Sequence, residues 1–148
     1  MSRITILYGT ETGNSEMAAD DIAEALGDAG VDVDIVAMDE YKVADLANET
    51  VVVLITSTYG EGELPETTAP FHGALTEAEP DLSGLRFAAF GLGDSTFETY
   101  NNAIVTLVRA ATELGATQIG ETGKHDAASG RSITDVSGSW VKQILEYV

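Results

Sequence analysis

The chain has 148 residues, enough for one domain with a single good core, and 44% of them are apolar and evenly spread, which excludes a disordered polypeptide. It contains no cysteine, which excludes disulfides, thiolate nucleophiles, zinc fingers and cysteine-ligated iron–sulfur clusters. Twenty-five acids against seven bases give a net charge of −18, a field that repels nucleic acid and anionic membranes and attracts basic protein surfaces.

The N-terminal stretch MSRITILYG lacks the long apolar segment and cleavage site of a signal peptide, and no apolar run reaches the roughly 20 residues of a membrane span. A cytoplasmic protein with no membrane association is expected. Ile4–Tyr8 predicts a first strand. The helix after it carries Ala18, Ala19, Ile22, Ala23 and Leu26 at i, i+3, i+4 spacing and ends at Gly30. Val31–Val36 alternates as a half-exposed strand does, whereas Val51–Ile55 is wholly apolar. Pro65–Leu75 predicts a helical segment capped near Glu66–Thr68, and Arg86–Phe90 a further apolar strand. Ile104, Val105, Leu107, Val108, Ala111 and Leu114 mark one face of a long helix ending at Gly115. Thr117–Ile119 is a weak fifth strand, and Val136, Trp140, Val141, Ile144 and Leu145 form the buried face of a last helix.

Strands alternating with helices predict an α/β fold, a doubly wound parallel sheet with helices on both faces and one domain over residues 1–148. Strands one, three and four are apolar throughout and belong in the centre; strands two and five carry polar residues and belong at the edges. That assignment gives the order 2-1-3-4-5, with the ligand crevice beyond the carboxyl ends of strands one and three.

Three loops follow the central strands. The first, GTETGNS, combines glycine, the hydroxyls of Thr10, Thr12 and Ser15, the Asn14 amide and a helix N-terminus, with no lysine. Donors without a cation suit one terminal phosphate better than a magnesium triphosphate, and the loop matches neither G-x-x-x-x-G-K-[ST] nor G-x-G-x-x-G. A plain N-cap turn is the competing reading. In the second loop, TSTYGEGELP, Ser57, Thr58 and Gly60 offer backbone groups to polar edges, Tyr59 offers a ring face, and Gly60 and Gly62 permit unusual backbone. The third, GLGDSTFETYNN, repeats that pattern with Gly91, Gly93, Asp94, Phe97 and Tyr100.

Taken together and in order, TETGNS, STYGEGELP and FGLGDSTFETYNNA resemble the flavodoxin family over essentially the full chain. The last two are similar to the FMN modules of diflavin reductases. Ala116–Arg131 has no room for the insertion of long-chain members, so the short-chain type is expected. The resemblance implies a flavodoxin-like five-stranded sheet and one noncovalent FMN. It implies that Thr10, Glu11 (through its backbone), Thr12, Gly13, Asn14 and Ser15 hold the phosphate. It places Ser57, Thr58, Tyr59, Gly60, Glu61, Gly62, Gly91, Leu92, Gly93, Asp94, Phe97, Tyr100 and Asn101 around the isoalloxazine, with Tyr59 and Phe97 stacking on it. The family usually has Tyr where this chain has Phe97, and Tyr100 is the alternative stacking residue. The peptide after Tyr59 is expected to turn on reduction, its Gly60 carbonyl accepting the proton gained at N5.

The function implied is a low-potential one-electron carrier, not an enzyme, without catalytic residues or a metal. It would shuttle electrons as a monomer between a flavoprotein reductase and acceptor enzymes with basic docking surfaces. Glu61, Glu63, Glu66, Asp94 and Glu98 would supply the acidic rim. A flavin-dependent NAD(P)H:quinone-type oxidoreductase is the alternative, disfavoured because no nicotinamide-binding fingerprint is present. A phosphoacceptor receiver domain shares the sheet order but needs acids where this chain has Tyr8-Gly9 and Thr56-Ser57. His72 and His125, the latter in a Gly- and Ala-rich loop, are read as structural or surface residues, and Trp140 as core.

Overall fold

The computed structural model describes residues 3–9, 14–57, 64–65, 67–93 and 102–147. Its elements run β1 (Arg3–Gly9), α1 (Asn14–Asp28), β2 (Asp32–Ala37), two 3-10 turns (Met38–Glu40 and Val43–Asn48), β3 (Val51–Ser57) and α2 (Thr68–Ala78). They continue with β4 (Arg86–Gly93), α3 (Asn102–Glu113), β5 (Thr117–Gln118), β6 (Gly123–Asp126) and α4 (Ile133–Ile144). All pairings are parallel, in the order β2-β1-β3-β4-β5, with β6 also on β4.

The expected order is therefore present, and the period of two along each central strand explains how it is covered. Ile4, Ile6, Val51, Val53, Ile55, Ala88 and Phe90 point to the side of α1 and α4. Leu7, Val52, Leu54, Phe87 and Ala89 point to the side of α2 and α3. A strand buried on both faces has no polar position to spare, and β3 is buried at every residue from Val51 to Thr56. The edge strand β2 leaves Asp32 and Asp34 in solvent, and Asp34 pairs with Arg3 of β1.

Two helix ends are set by glycine. Gly30 (φ 87°) lets the Val31 amide reach the Leu26 carbonyl and its own amide reach the Gly27 carbonyl. Gly115 (φ 104°) makes the equivalent pair of bonds to Ala111 and Thr112. Val31 thus belongs to a helix cap rather than to the second strand.

Several expectations are corrected. The strands run past their apolar cores to Gly9, Ser57 and Gly93, because ladder hydrogen bonds need backbone and not apolar side chains. Helix α2 begins at Thr68 rather than Pro65; the Pro65 carbonyl instead accepts from the Thr68 and Ala69 amides. Val105 is 43% exposed, because α3 turns Ala103, Ile104, Leu107, Ala110 and Ala111 inward and position 105 falls off that stripe. The fifth strand is split: β5 pairs with the start of β4, and the chain rejoins its end as β6 after Gly120 (φ 68°). His125 consequently lies in a strand, buried, and not in a loop.

Trp140 is core, as expected. Its ring centroid lies 5.3 Å from that of Phe90, tilted by 56°, and its indole N–H donates to the Glu121 carbonyl at 3.0 Å. Gly123 is the residue that admits this aromatic pair.

Candidate functional site

The register aligns the carboxyl ends of the strands. Gly9 lies opposite Thr56, Thr56 opposite Gly91 and Gly91 opposite Lys124; Ser57 lies opposite Leu92, and Leu92 opposite His125. The strand ends Gly9, Ser57 and Gly93 and the turn after β6 therefore all lie at one end of the sheet. Gly9 and Ser57 flank the point where the winding reverses between β1 and β3.

Asn14 opens α1 and Ser15 follows it, so the first free amides of a fifteen-residue helix point at this end of the sheet. The Ser15 side chain is fully buried, and its Oγ has no hydrogen-bond partner among the described residues. A buried hydroxyl without a partner costs about 1–3 kcal/mol, so such an atom needs a partner beyond the described residues. A hydroxyl and helix amides with no cation among them fit a phosphate monoester, whose oxygens accept hydrogen bonds. Beside it the Tyr8 hydroxyl, at the end of β1, donates to the Glu16 carboxylate at 3.3 Å. Burial, and after it Glu16, raises the Tyr8 pKa, so the phenol stays protonated and ties the end of β1 to the first turn of α1.

On the other side of the switch point Ser57 is half-buried at the end of β3. Thr56, one residue earlier, is buried and bonded to Thr68 of α2. Gly91 and Gly93 lie within β4 rather than in a loop, and the Leu92 side chain packs in the core under α1 and α4, so Leu92 can meet a ligand only through its backbone. Gly9 also has a structural duty: a Cβ there would collide with the Thr68 hydroxyl and come within 3.0 Å of the Met38 sulfur. Thr10, Glu11, Thr12, Gly13, Thr58, Tyr59, Gly60, Glu61, Gly62, Asp94, Phe97, Tyr100 and Asn101 lie outside the described residues, as do the rim acids Glu63, Glu66 and Glu98.

Sequence reasoning missed the turn after β6. His125 Nε2 sits 2.8 Å from the Arg131 carbonyl, the Asp126 carboxylate accepts from the Ala128 amide, and Ser129 bonds the Asp126 carbonyl and the Arg131 amide. These contacts hold residues 126–131 as a compact turn beside Gly93. The signal was present in Asp126 as a cap and Gly130 (φ 78°), but it followed a strand too short to be recognised.

A parallel sheet wound 2-1-3-4-5, with a helix N-terminus at its β1/β3 switch point, has the architecture of a mononucleotide-binding α/β domain. A family model described as Flavodoxin matches residues 6–137, and the chain belongs to the flavodoxin family. It is 36% identical over 144 residues to NADPH-dependent diflavin oxidoreductase 1 of Cryptococcus neoformans, covering 95% of this chain but 23% of that one, about a quarter of its length. It is 35% identical over 146 residues to Protein MioC of Escherichia coli, covering 95% of this chain and 97% of that one. Among solved structures it superposes on oxidised Flavodoxin 2 from Bacillus cereus with a TM-score of 0.88 at 27% identity, over 99% of this chain and 100% of that one. Membership makes FMN the cofactor and electron carriage the role of this domain, and the buried Ser15 hydroxyl at the head of α1, without a partner among the described residues, is consistent with a flavin phosphate.

Proposed function

We propose that the chain, as one domain, binds a single FMN noncovalently and passes electrons one at a time, at low potential, between a flavoprotein reductase and acceptor enzymes. Bound FMN supplies a ring system that takes up and releases single electrons. The residues then have three tasks.

The first is to hold the phosphate. Ser15 Oγ, the α1 amides from Asn14 onward and the 10–13 segment (Thr10, Glu11, Thr12, Gly13) donate to it. A cradle without a cation suits a terminal phosphate and leaves FAD at a disadvantage. The second task is to clamp the ring. Tyr59 and Phe97 cover its faces, while backbone of Ser57, Thr58, Gly60, Glu61, Gly62, Gly91, Leu92, Gly93, Asp94 and Asn101 meets its edges, with Tyr100 nearby. Aromatic walls lower the local dielectric and disfavour added negative charge on the ring, which keeps the potential low. The third is docking. Glu61, Glu63, Glu66, Asp94 and Glu98 flank the ring loops and steer basic partners, and net charge of −18 supports that reading.

The observation that carries the proposal is the buried Ser15 hydroxyl near the switch point, which has no hydrogen-bond partner among the described residues. It is tested by mixing FMN-loaded protein with NADPH, alone and with a basic flavoprotein reductase. Reduction only in the presence of the reductase is expected. Rapid NADPH oxidation by the isolated protein with a quinone acceptor would instead establish an oxidoreductase.

A further inference from the structure

The end of β3 and the start of α2 share a buried polar contact that the cofactor reading does not use. Thr56 and Thr68 are both fully buried, and their hydroxyl oxygens lie 2.8 Å apart. Thr56 Oγ1 is also 3.0 Å from the Ser57 carbonyl oxygen, to which it donates. A threonine hydroxyl has one proton. Because Thr56 gives its proton to Ser57, Thr68 must be the donor between the two hydroxyls. The chain of bonds therefore runs one way, from Thr68 to Thr56 to the Ser57 carbonyl.

Room for this chain is made on purpose. Gly9 lies opposite Thr56 across the sheet, and any side chain there would occupy the place of the Thr68 hydroxyl. The same first turn of α2 also holds Pro65, whose carbonyl accepts from the Thr68 and Ala69 amides at 2.9 Å each. Residues 57 and 65, on either side of segment 58–63, are thus tied to one helical turn. A valine pair would fill the same volume without burying hydroxyls, which stabilise little once desolvation is counted. What the hydroxyls add is direction: Thr56 donates to the Ser57 carbonyl, where valine has nothing to donate.

We propose that the Thr68–Thr56 relay sets the carbonyl of Ser57, and with it the line on which the chain leaves β3 toward the flavin ring. Thr68 and Thr56 are positioning residues for cofactor binding. This role rests on the FMN reading above, and the experiment separates the two. The double variant Thr56→Val/Thr68→Val keeps shape and removes the relay; Thr68→Ser keeps the relay and removes a methyl group. FMN-free melting temperature and the FMN dissociation constant, from flavin-fluorescence titration, are measured for each.

The double variant should melt within a few degrees of wild type, since replacing both partners by apolar groups of the same shape is nearly neutral. It should bind FMN about fivefold more weakly, the equivalent of about 1 kcal/mol or one hydrogen bond. Thr68→Ser should bind within about twofold of wild type. If the double variant does not fold, Thr56→Val against Thr56→Ser carries the same test, with weakened binding expected only for valine. Wild-type affinity in the valine variants, or equal loss in Thr68→Ser, overturns the relay. Failure of the wild type to bind FMN overturns the flavin reading and this role with it.

Discussion

Ser15→Ala should move stability and affinity in opposite directions. Ser15 Oγ is fully buried and has no partner among the described residues, so with FMN removed the hydroxyl is expected to cost the folded state more than it returns. Alanine deletes that hydroxyl and leaves a space of only one oxygen atom. An unsatisfied buried hydroxyl costs roughly 1–3 kcal/mol, which bounds the gain, and the small cavity takes some of it back. The FMN-free variant should be as stable as wild type or up to about 2 kcal/mol more stable, at about 2–4 °C of melting temperature per kcal/mol. With FMN present the sign reverses. A hydrogen bond to a charged phosphate contributes about 1.5–3 kcal/mol, so its loss should raise the FMN dissociation constant roughly 10- to 150-fold. Urea unfolding of the FMN-free proteins and fluorescence titration with FMN supply the two numbers. A variant destabilised by more than about 1 kcal/mol and binding FMN as tightly as wild type would show that the hydroxyl serves the fold, and the phosphate cradle would have to be placed elsewhere.

Gly123→Ala would put a Cβ 2.5 Å from Phe90 Cδ1 and 2.6 Å from Trp140 Cδ1, so thermal unfolding should show a loss of roughly 1–3 kcal/mol with altered tryptophan fluorescence. Tyr41 donates to Glu49 at 3.1 Å, and burial, followed by Glu49, raises its pKa; the folded state keeps this proton at pH values where the unfolded chain has lost it. Nothing is gained or lost below about pH 10, and above it the unfolded state binds fewer protons, so stability falls as pH rises; Tyr41→Phe should flatten part of that fall in unfolding measured from pH 9 to 11. Reduction by a basic flavoprotein reductase should slow as salt shortens the reach of the acidic field to about 8 Å, and reversing two rim acids to Lys should lower the on-rate far more than FMN affinity; a salt-independent rate would remove the steering role.

The sheet was legible because burial on both faces leaves a plain mark: β1, β3 and β4 are apolar runs, and β2, with Asp32 and Asp34, reads as an edge. Strand ends were not, since Gly9, Ser57 and Gly93 belong to the ladder through backbone alone. The split fifth strand was read as strand and loop because Gly123–Asp126 has no apolar side chain; its glycine is dictated by Phe90 and Trp140, which are distant in sequence. For the site, the sequence shows hydroxyls beside a helix start, and of these Ser15 is buried at the head of α1. Gly9 of GTETGNS makes way for Thr68, fifty-nine positions later, a contact that no local pattern shows. The Thr68–Thr56–Ser57 relay could not be foreseen, because it depends on which helix turn lands on which strand end.

FMN, and not FAD, is the flavin proposed for the switch point between β1 and β3. Protein freed of cofactor should be titrated separately with FMN and FAD, following flavin fluorescence and the rise in melting temperature. Saturation at one FMN per chain is expected, with FAD binding far more weakly and stabilising the fold less. Equal or tighter binding of FAD, or no flavin bound at all, would contradict it.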